Sequence, residues 1–156
     1  MPGPAEWRPI LARPDQVVSR TEVETRAREL GLQPVCWPEP FPFDSSLAMR
    51  VATYAASIGR AVPFAQAAFR QAFAGGHSLQ DPDFVLIAAA ACEMHPAAVL
   101  RGAELRATAE RLAASTAEAA AAGVTEVPAV VVGGRAFVGA DALECAAEQM
   151  AAEQPA

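Results

Sequence analysis

The chain has 156 residues, 53% of them hydrophobic and 6% aromatic, and its twelve basic and eighteen acidic side chains leave a net charge of −6. That composition belongs to a helix-rich globular protein and excludes a disordered or fibrous one. The acidic balance, with no run of Lys or Arg, argues against a nucleic-acid partner, and no apolar run approaches the ~20 residues of a membrane span.

The start, MPGPAEWRPIL, has neither the basic nor the apolar region of a secretory leader. Cys36, Cys92 and Cys145 lie far apart and form no C-x-x-C, so neither a zinc knuckle nor a dithiol centre is written in these residues. Each cysteine reads as a small buried apolar residue, and the setting as cytoplasmic and reduced.

In chain order, Trp7–Leu11 reads as a short extended segment. Residues 20–30 read as a surface helix with Val23, Ala27 and Leu30 on one face, ended by Gly31. Residues 32–42 carry Pro34, Pro38, Pro40 and Pro42 and must be extended or loop, because each proline disfavours helix in the residue before it.

Four helical stretches follow. Asp44 or Ser45 caps the first, whose stripe is Leu47, Val51, Tyr54, Ala55 and Ile58, and Gly59 stops it. Pro63 stands in the first turn of the second, with Ala65, Ala68, Phe69, Ala72 and Phe73 as the buried face. Asp81-Pro82-Asp83 starts the third with a cap, a first-turn proline and an acid near the positive helix end. His95-Pro96 interrupts the pattern, and a fourth helix over roughly 101–122 carries Leu105, Ala109, Leu112, Thr116 and Ala119 on one side.

The pattern then changes. Ala129–Val132 and Arg135–Val138 read as two strands joined by Gly133-Gly134, the two-residue loop of a primed turn, in which both central residues take positive φ. Asp141 caps a last helix, with Glu144 three residues on and Leu143, Ala146, Ala147 and Met150 facing inward.

The stretch GVTEVPAVVVGGRAFVGADALE resembles the end of a thioredoxin-fold domain, in which a Val-Pro with a cis peptide bond opens a core strand, followed by a tight hairpin and the final helix. The chain as a whole resembles the DsbA-like group that includes 2-hydroxychromene-2-carboxylate isomerase and kappa-class glutathione transferase. WRPIL is similar to the group's second strand. RARELGLQPVCWPEPFPFDSSLAMRVA resembles its helix, its loop and the start of an inserted helical domain, and FAQAAFRQAFAGGHSL the middle of that insertion. The resemblance implies an α/β, thioredoxin-like fold with an all-helical insertion: a thioredoxin-like layer over 1–42 and 115–156, and the insertion over 43–114.

It also implies a ligand, glutathione or a related thiol, lying along the strand that Val127-Pro128 opens, where the backbone N–H and C=O of Val127 pair with an extended peptide. Gly139, Ala140 and Asp141 then meet its γ-glutamyl end: a helix N-terminus offers N–H groups to a carboxylate, and the Asp141 carboxylate meets an ammonium. Asp44 falls near the glutathione or substrate pocket. Each position also has a plain structural reading: strand-entry constraint for Val127-Pro128, helix cap for Asp141 and Asp44, loop or core packing for Trp7 and Trp37. His95 reads as a surface or packing residue and His77 as loop. Two histidines so differently placed argue against a metal site and against a Ser/His/Asp triad.

The resemblance begins at the family's second strand. The first strand, the first helix and the serine or cysteine at that helix's N-terminus, where the dipole lowers a thiol pKa, have no counterpart in the matching residues, so no catalytic residue is assigned. Three accounts stay open: the start is misplaced and the protein is longer, which is favoured; a second chain, as a homodimer or a different partner, supplies the strand; or the layer has been reduced. The expected activity is that of a glutathione-dependent isomerase or transferase acting on a small aromatic or electrophilic substrate. The alternatives are a DsbA-like thiol-disulfide oxidoreductase and a non-catalytic binding subunit.

Overall fold

The computed structural model describes residues 20–125, 127–139 and 141–153. The chain forms two compact units, one over Val18–Leu112 and one that takes in Ala113–Ala156. The extended segment predicted at 7–11, with Trp7, lies outside the described residues, as does Ala140.

Seven α-helices and one two-stranded sheet make up the described residues. The first helix, α1 (Arg20–Glu29), buries only Ala27; Val23 and Leu30, predicted on the same face, are 40% and 57% exposed. Beyond it the proline-rich segment is held from two sides. The Trp37 indole N–H donates to Glu24 Oε1 at 2.7 Å, and the Arg20 guanidinium lies 5.3 Å from the Trp37 ring centre. The ring meets Phe41 and Phe73 edge-on, with centroids 5.0 and 6.0 Å apart. Trp37 is thus a packing residue of the loop.

The core of this unit is built by α2 (Ser46–Ser57), α3 (Ala61–Phe69), α4 (Pro82–Ala90) and α5 (Pro96–Glu104). The α2 helix packs on α3, α4 and α5, and α4 also meets α3 and α5. As predicted, Val51 and Ala55 of α2 are buried; Ile58, on the same stripe, is half-exposed because the helix ends at Ser57. In α3 the inward aromatic is Phe64 at 1% exposure, while the predicted Phe69 stands 64% exposed. The helix passes into a π-helical turn, Arg70–Ala74, in which Gly75 N–H reaches back to Arg70 O at 2.9 Å. That wider turn keeps Ala72 buried and turns Phe73 toward Trp37 and Phe41.

Asp81 caps α4 as expected, accepting the Asp83 N–H at 2.9 Å with Pro82 in first position. His95 caps α5: its Nδ1 accepts the Ala97 N–H at 3.2 Å, a role the sequence reading missed. His77 stacks flat on Phe84 with ring centres 4.1 Å apart.

The single helix expected over 101–122 is two, α5 and α6 (Arg106–Ala121), broken at Leu105. The Thr108 hydroxyl donates to Gly102 O at 2.7 Å, adding to the long 3.4 Å bond that this carbonyl accepts from the Leu105 N–H, and Leu105 swings out to 53% exposure.

In the other unit, β1 (Ala129–Val132) and β2 (Arg135–Val138) pair antiparallel, Ala129 opposite Val138 and Val132 opposite Arg135. Gly133 and Gly134 hold φ of +57° and +78°, the primed turn that the Gly-Gly pair predicted. The last helix, α7 (Ala142–Glu153), packs on both strands. It does so through Ala142 and Ala146; Leu143 and Met150, predicted inward, are 69% and 53% exposed.

Two of the three cysteines depart from the buried expectation: Cys36 and Cys145 are exposed and only Cys92 is buried. Burial pushes the Cys92 thiol pKa up, against a smaller opposing pull from Arg60. Among the described residues no helix is long and apolar enough to cross a membrane.

Candidate functional site

The hairpin register decides which backbone groups of β1 are used. The two-residue loop makes Val132–Arg135 a hydrogen-bonded pair, so bonded pairs alternate down the ladder and Val130–Phe137 is the next. The series ends with Pro128 O accepting the Gly139 N–H at 3.0 Å. Pro128 O therefore faces β2, while Ala129 and Val131 turn their N–H and C=O groups to the opposite edge. Among the described residues nothing pairs with that edge.

The Pro128–Gly139 bond closes the base of the hairpin and sets Pro128 beside Gly139, eleven positions further along the chain. Val127 is half-exposed, and the Val127–Pro128 peptide is cis. Asp141 occupies the N-cap position of α7, its carbonyl accepting the Cys145 N–H at 3.0 Å. The Asp141 side chain is exposed at the start of that helix. The structure thus brings two of the predicted positions, Pro128 and Gly139, into contact, with Val127 and Asp141 adjoining them in the chain. Chemically that place offers strand backbone able to pair with a peptide, a helix N-terminus and an exposed carboxylate.

Asp44, the sixth predicted position, belongs to the other unit. There it caps α2. Ser45 fills the N-cap position without a side-chain bond, and the Asp44 carboxylate instead accepts the Ser46 N–H at 2.8 Å together with the Ser46 hydroxyl. The Asp44 N–H donates to Gln80 Oε1 at 3.4 Å, and Gln80 lines a cleft with Glu39, His77 and Asp81.

The Ser46 hydroxyl first, and the Ser46 amide second, hold the Asp44 carboxyl below its ordinary pKa. A depressed carboxylate stabilises the fold above its unfolded pKa of about 3.9, and that contribution is lost as pH falls through the lower folded value. Asp44→Ala is therefore expected to cost about 1 kcal/mol at pH 7, as capping residues do. Asp44→Asn, which keeps an acceptor oxygen, should cost less. Urea melts at falling pH should bring wild type and Asp44→Ala together only below the carboxylate range; a gap unchanged in acid would remove the carboxylate from the cap.

Among the described residues no group of three His, Cys, Asp or Glu side chains could hold a metal ion. Neither the curated proteins nor the solved structures yielded a match. A comparison with protein families aligns residues 7–151 with one family over nearly the whole chain, including both units and the hairpin that holds the candidate site. The chain belongs to the DSBA-like thioredoxin domain family.

Proposed function

We propose that this chain carries the ligand-reading part of a glutathione-dependent isomerase- or transferase-like protein acting on a small aromatic or electrophilic substrate. The observation that supports the reading is the half-exposed Val127, whose backbone N–H and C=O are unpaired among the described residues, at the base of a hairpin that leads through Gly139 to the exposed Asp141. A thiol tripeptide suits such a place. Its backbone is extended and complements an edge residue, and its γ-glutamyl end carries both an ammonium for Asp141 and a carboxylate for N–H groups at the start of α7. The domain division at 42/43 and 114/115, a cytoplasmic location and Asp44 as a substrate-side residue belong to the same proposal. No residue of the chain is assigned as the thiol-activating group.

The test is calorimetric titration of the protein with reduced glutathione. Binding is expected, and Asp141→Ala should weaken it about tenfold, the value of one charge-assisted contact of 1–2 kcal/mol. Equal affinity in the variant would take Asp141 out of the site. Absence of binding, together with reduction of insulin disulfides, would replace this reading with that of a thiol oxidoreductase.

A further inference from the structure

Residues 91–95 join α4 to α5 in a tight turn. Glu93 holds φ at +60°, a left-handed conformation uncommon outside glycine. Its carboxylate meets the Arg60 guanidinium at 3.1 Å, and the Glu93 and Met94 N–H groups return to Ala90 O and Ala89 O. Met94 is buried, and His95 follows it in extended backbone, at φ −71° and ψ 127°. His95 therefore has to start α5 directly from an extended residue.

The usual choice at such a position is Ser, Thr, Asp or Asn, and here it is an imidazole. The His95 carbonyl accepts the Ala98 and Val99 N–H groups at 2.9 and 3.0 Å, and its Nδ1 accepts the Ala97 N–H at 3.2 Å. Pro96 brings no N–H, so the Ala97 amide is the first donor that α5 has to satisfy. A ring nitrogen accepts only while it carries no proton, so the capping ring is the neutral form with its proton on Nε2. Protonation of Nδ1 removes the acceptor, turns a donor toward the Ala97 N–H, and places a cation at the positive end of the helix. All three changes loosen the first turn of α5. The bond belongs to the neutral ring, so its contribution is full at high pH and is lost as pH falls. His95 is exposed, and solvent protons reach it.

The neighbouring charges do not replace the ring. The α5 helix packs on α2 and α4. Their titratable groups are Arg50 and Tyr54 in α2 and Asp83 in α4; the turn adds Cys92 and the Arg60-bound Glu93, and α5 itself adds Arg101 and Glu104. Among the described residues none of these side chains bonds to the imidazole, whose polar contact is the Ala97 amide.

We propose that His95 is a proton-operated cap: the neutral ring holds the first turn of α5 closed, and acidification releases it. Val99, completely buried, is the core residue that this turn carries, so the release reaches the centre of the helical unit. The device is independent of what Val127 and Asp141 bind.

The test compares urea unfolding of wild type, His95→Asn and His95→Ala at pH 8 and pH 5, the interval in which histidine is the side chain that ordinarily changes charge. Asn caps and does not titrate there; Ala does not cap. His77 and the carboxylates are common to all three proteins, so their titration cancels in the differences. At pH 8 the wild type should stand with His95→Asn, above His95→Ala by about fivefold in the folding equilibrium constant. At pH 5 it should fall to the level of His95→Ala or below, while His95→Asn keeps its lead. Amide NMR gives a second reading: the Ala97 N–H resonance should titrate together with the His95 ring. A gap between wild type and His95→Asn that is the same at both pH values overturns the proposal, and so does an Ala97 resonance indifferent to the charge of the ring.

Discussion

Phe64→Ala is expected to cost about 3–5 kcal/mol, the largest loss of any single truncation in the helical unit. Phe64 is 1% exposed, and the buried cluster that contains it consists mostly of short side chains: Ala48, Ala55, Ala68, Ala72, Ala88, Ala89 and Ala103, with Val51, Val85, Val99 and Cys92, beside the longer Leu79 and Met94. Alanines cannot extend into a vacated space, so the cavity left by the ring collapses poorly and the cost falls toward the upper end of the range. Against a total stability of about 5–15 kcal/mol, that is a third or more of what holds such a domain together. Phe64→Leu keeps most of the volume and should cost about 1.5 kcal/mol or less. Urea unfolding followed by circular dichroism checks both. A Phe64→Ala loss below about 1 kcal/mol would show that the ring does not anchor this core.

That Phe64 was not legible in the sequence has a definite cause. The stripe Ala65, Ala68, Phe69, Ala72 and Phe73 has good helical spacing, and it shares Ala68 and Ala72 with the true inward face. Within α3 the periodicity alone leaves Phe64 and Phe69 as rival inward positions, and the turn at Arg70–Ala74, where a backbone bond runs to the fifth residue, shifts the phase only beyond Phe69. No proline or glycine inside the stretch announces that widening. The break at Leu105 was hidden in the same way. It is stabilised by a contact six residues long, Thr108 to the Gly102 carbonyl, in a segment that apart from Gly102 is rich in helix formers. The features that were legible, Asp81-Pro82 and Gly133-Gly134, each meet a backbone requirement within two residues.

The candidate site divides along the same line. Pro128 and Gly139 come together because a two-residue hairpin fixes its own register, and the register sets position 128 against 139. Once the turn is read, that proximity follows from counting. Whether the Asp141 carboxylate bonds the first turn of α7 depends on the local path of the chain around Gly139, which no residue pattern specifies. The exposure of Leu143 and Met150 was equally hidden, because the helix docks on the hairpin through the small residues Ala142 and Ala146, and a larger neighbour at helical spacing mimics an inward position.

Gly102→Ala should be destabilising by about 1–3 kcal/mol, even though propensity alone predicts the opposite. In a helix interior the exchange of glycine for alanine gains about 1 kcal/mol, and Gly102 lies inside α5. Here, however, Gly102 is buried against the Tyr54 ring of α2, and an added Cβ would fall onto the ring carbons Cγ, Cδ2 and Cε2, closer than such atoms approach in real proteins. The obstacle is the body of an aromatic ring, so a rotamer change at a flexible tip cannot relieve it. The α2 and α5 helices pack directly together, with Val51, Ala55, Val99 and Ala103 completely or almost completely buried, so separating them to admit a methyl group would loosen the centre of the core. For a domain of this size the loss corresponds to a fall in Tm of several degrees, at about 4–8 °C per kcal/mol. A double-mutant cycle isolates the cause: Tyr54→Ala removes the ring, and Gly102→Ala on that background should cost nothing or become stabilising. If Gly102→Ala raised Tm with Tyr54 in place, the helix contact would have to be wider than this packing allows, and propensity rather than close approach would explain the glycine.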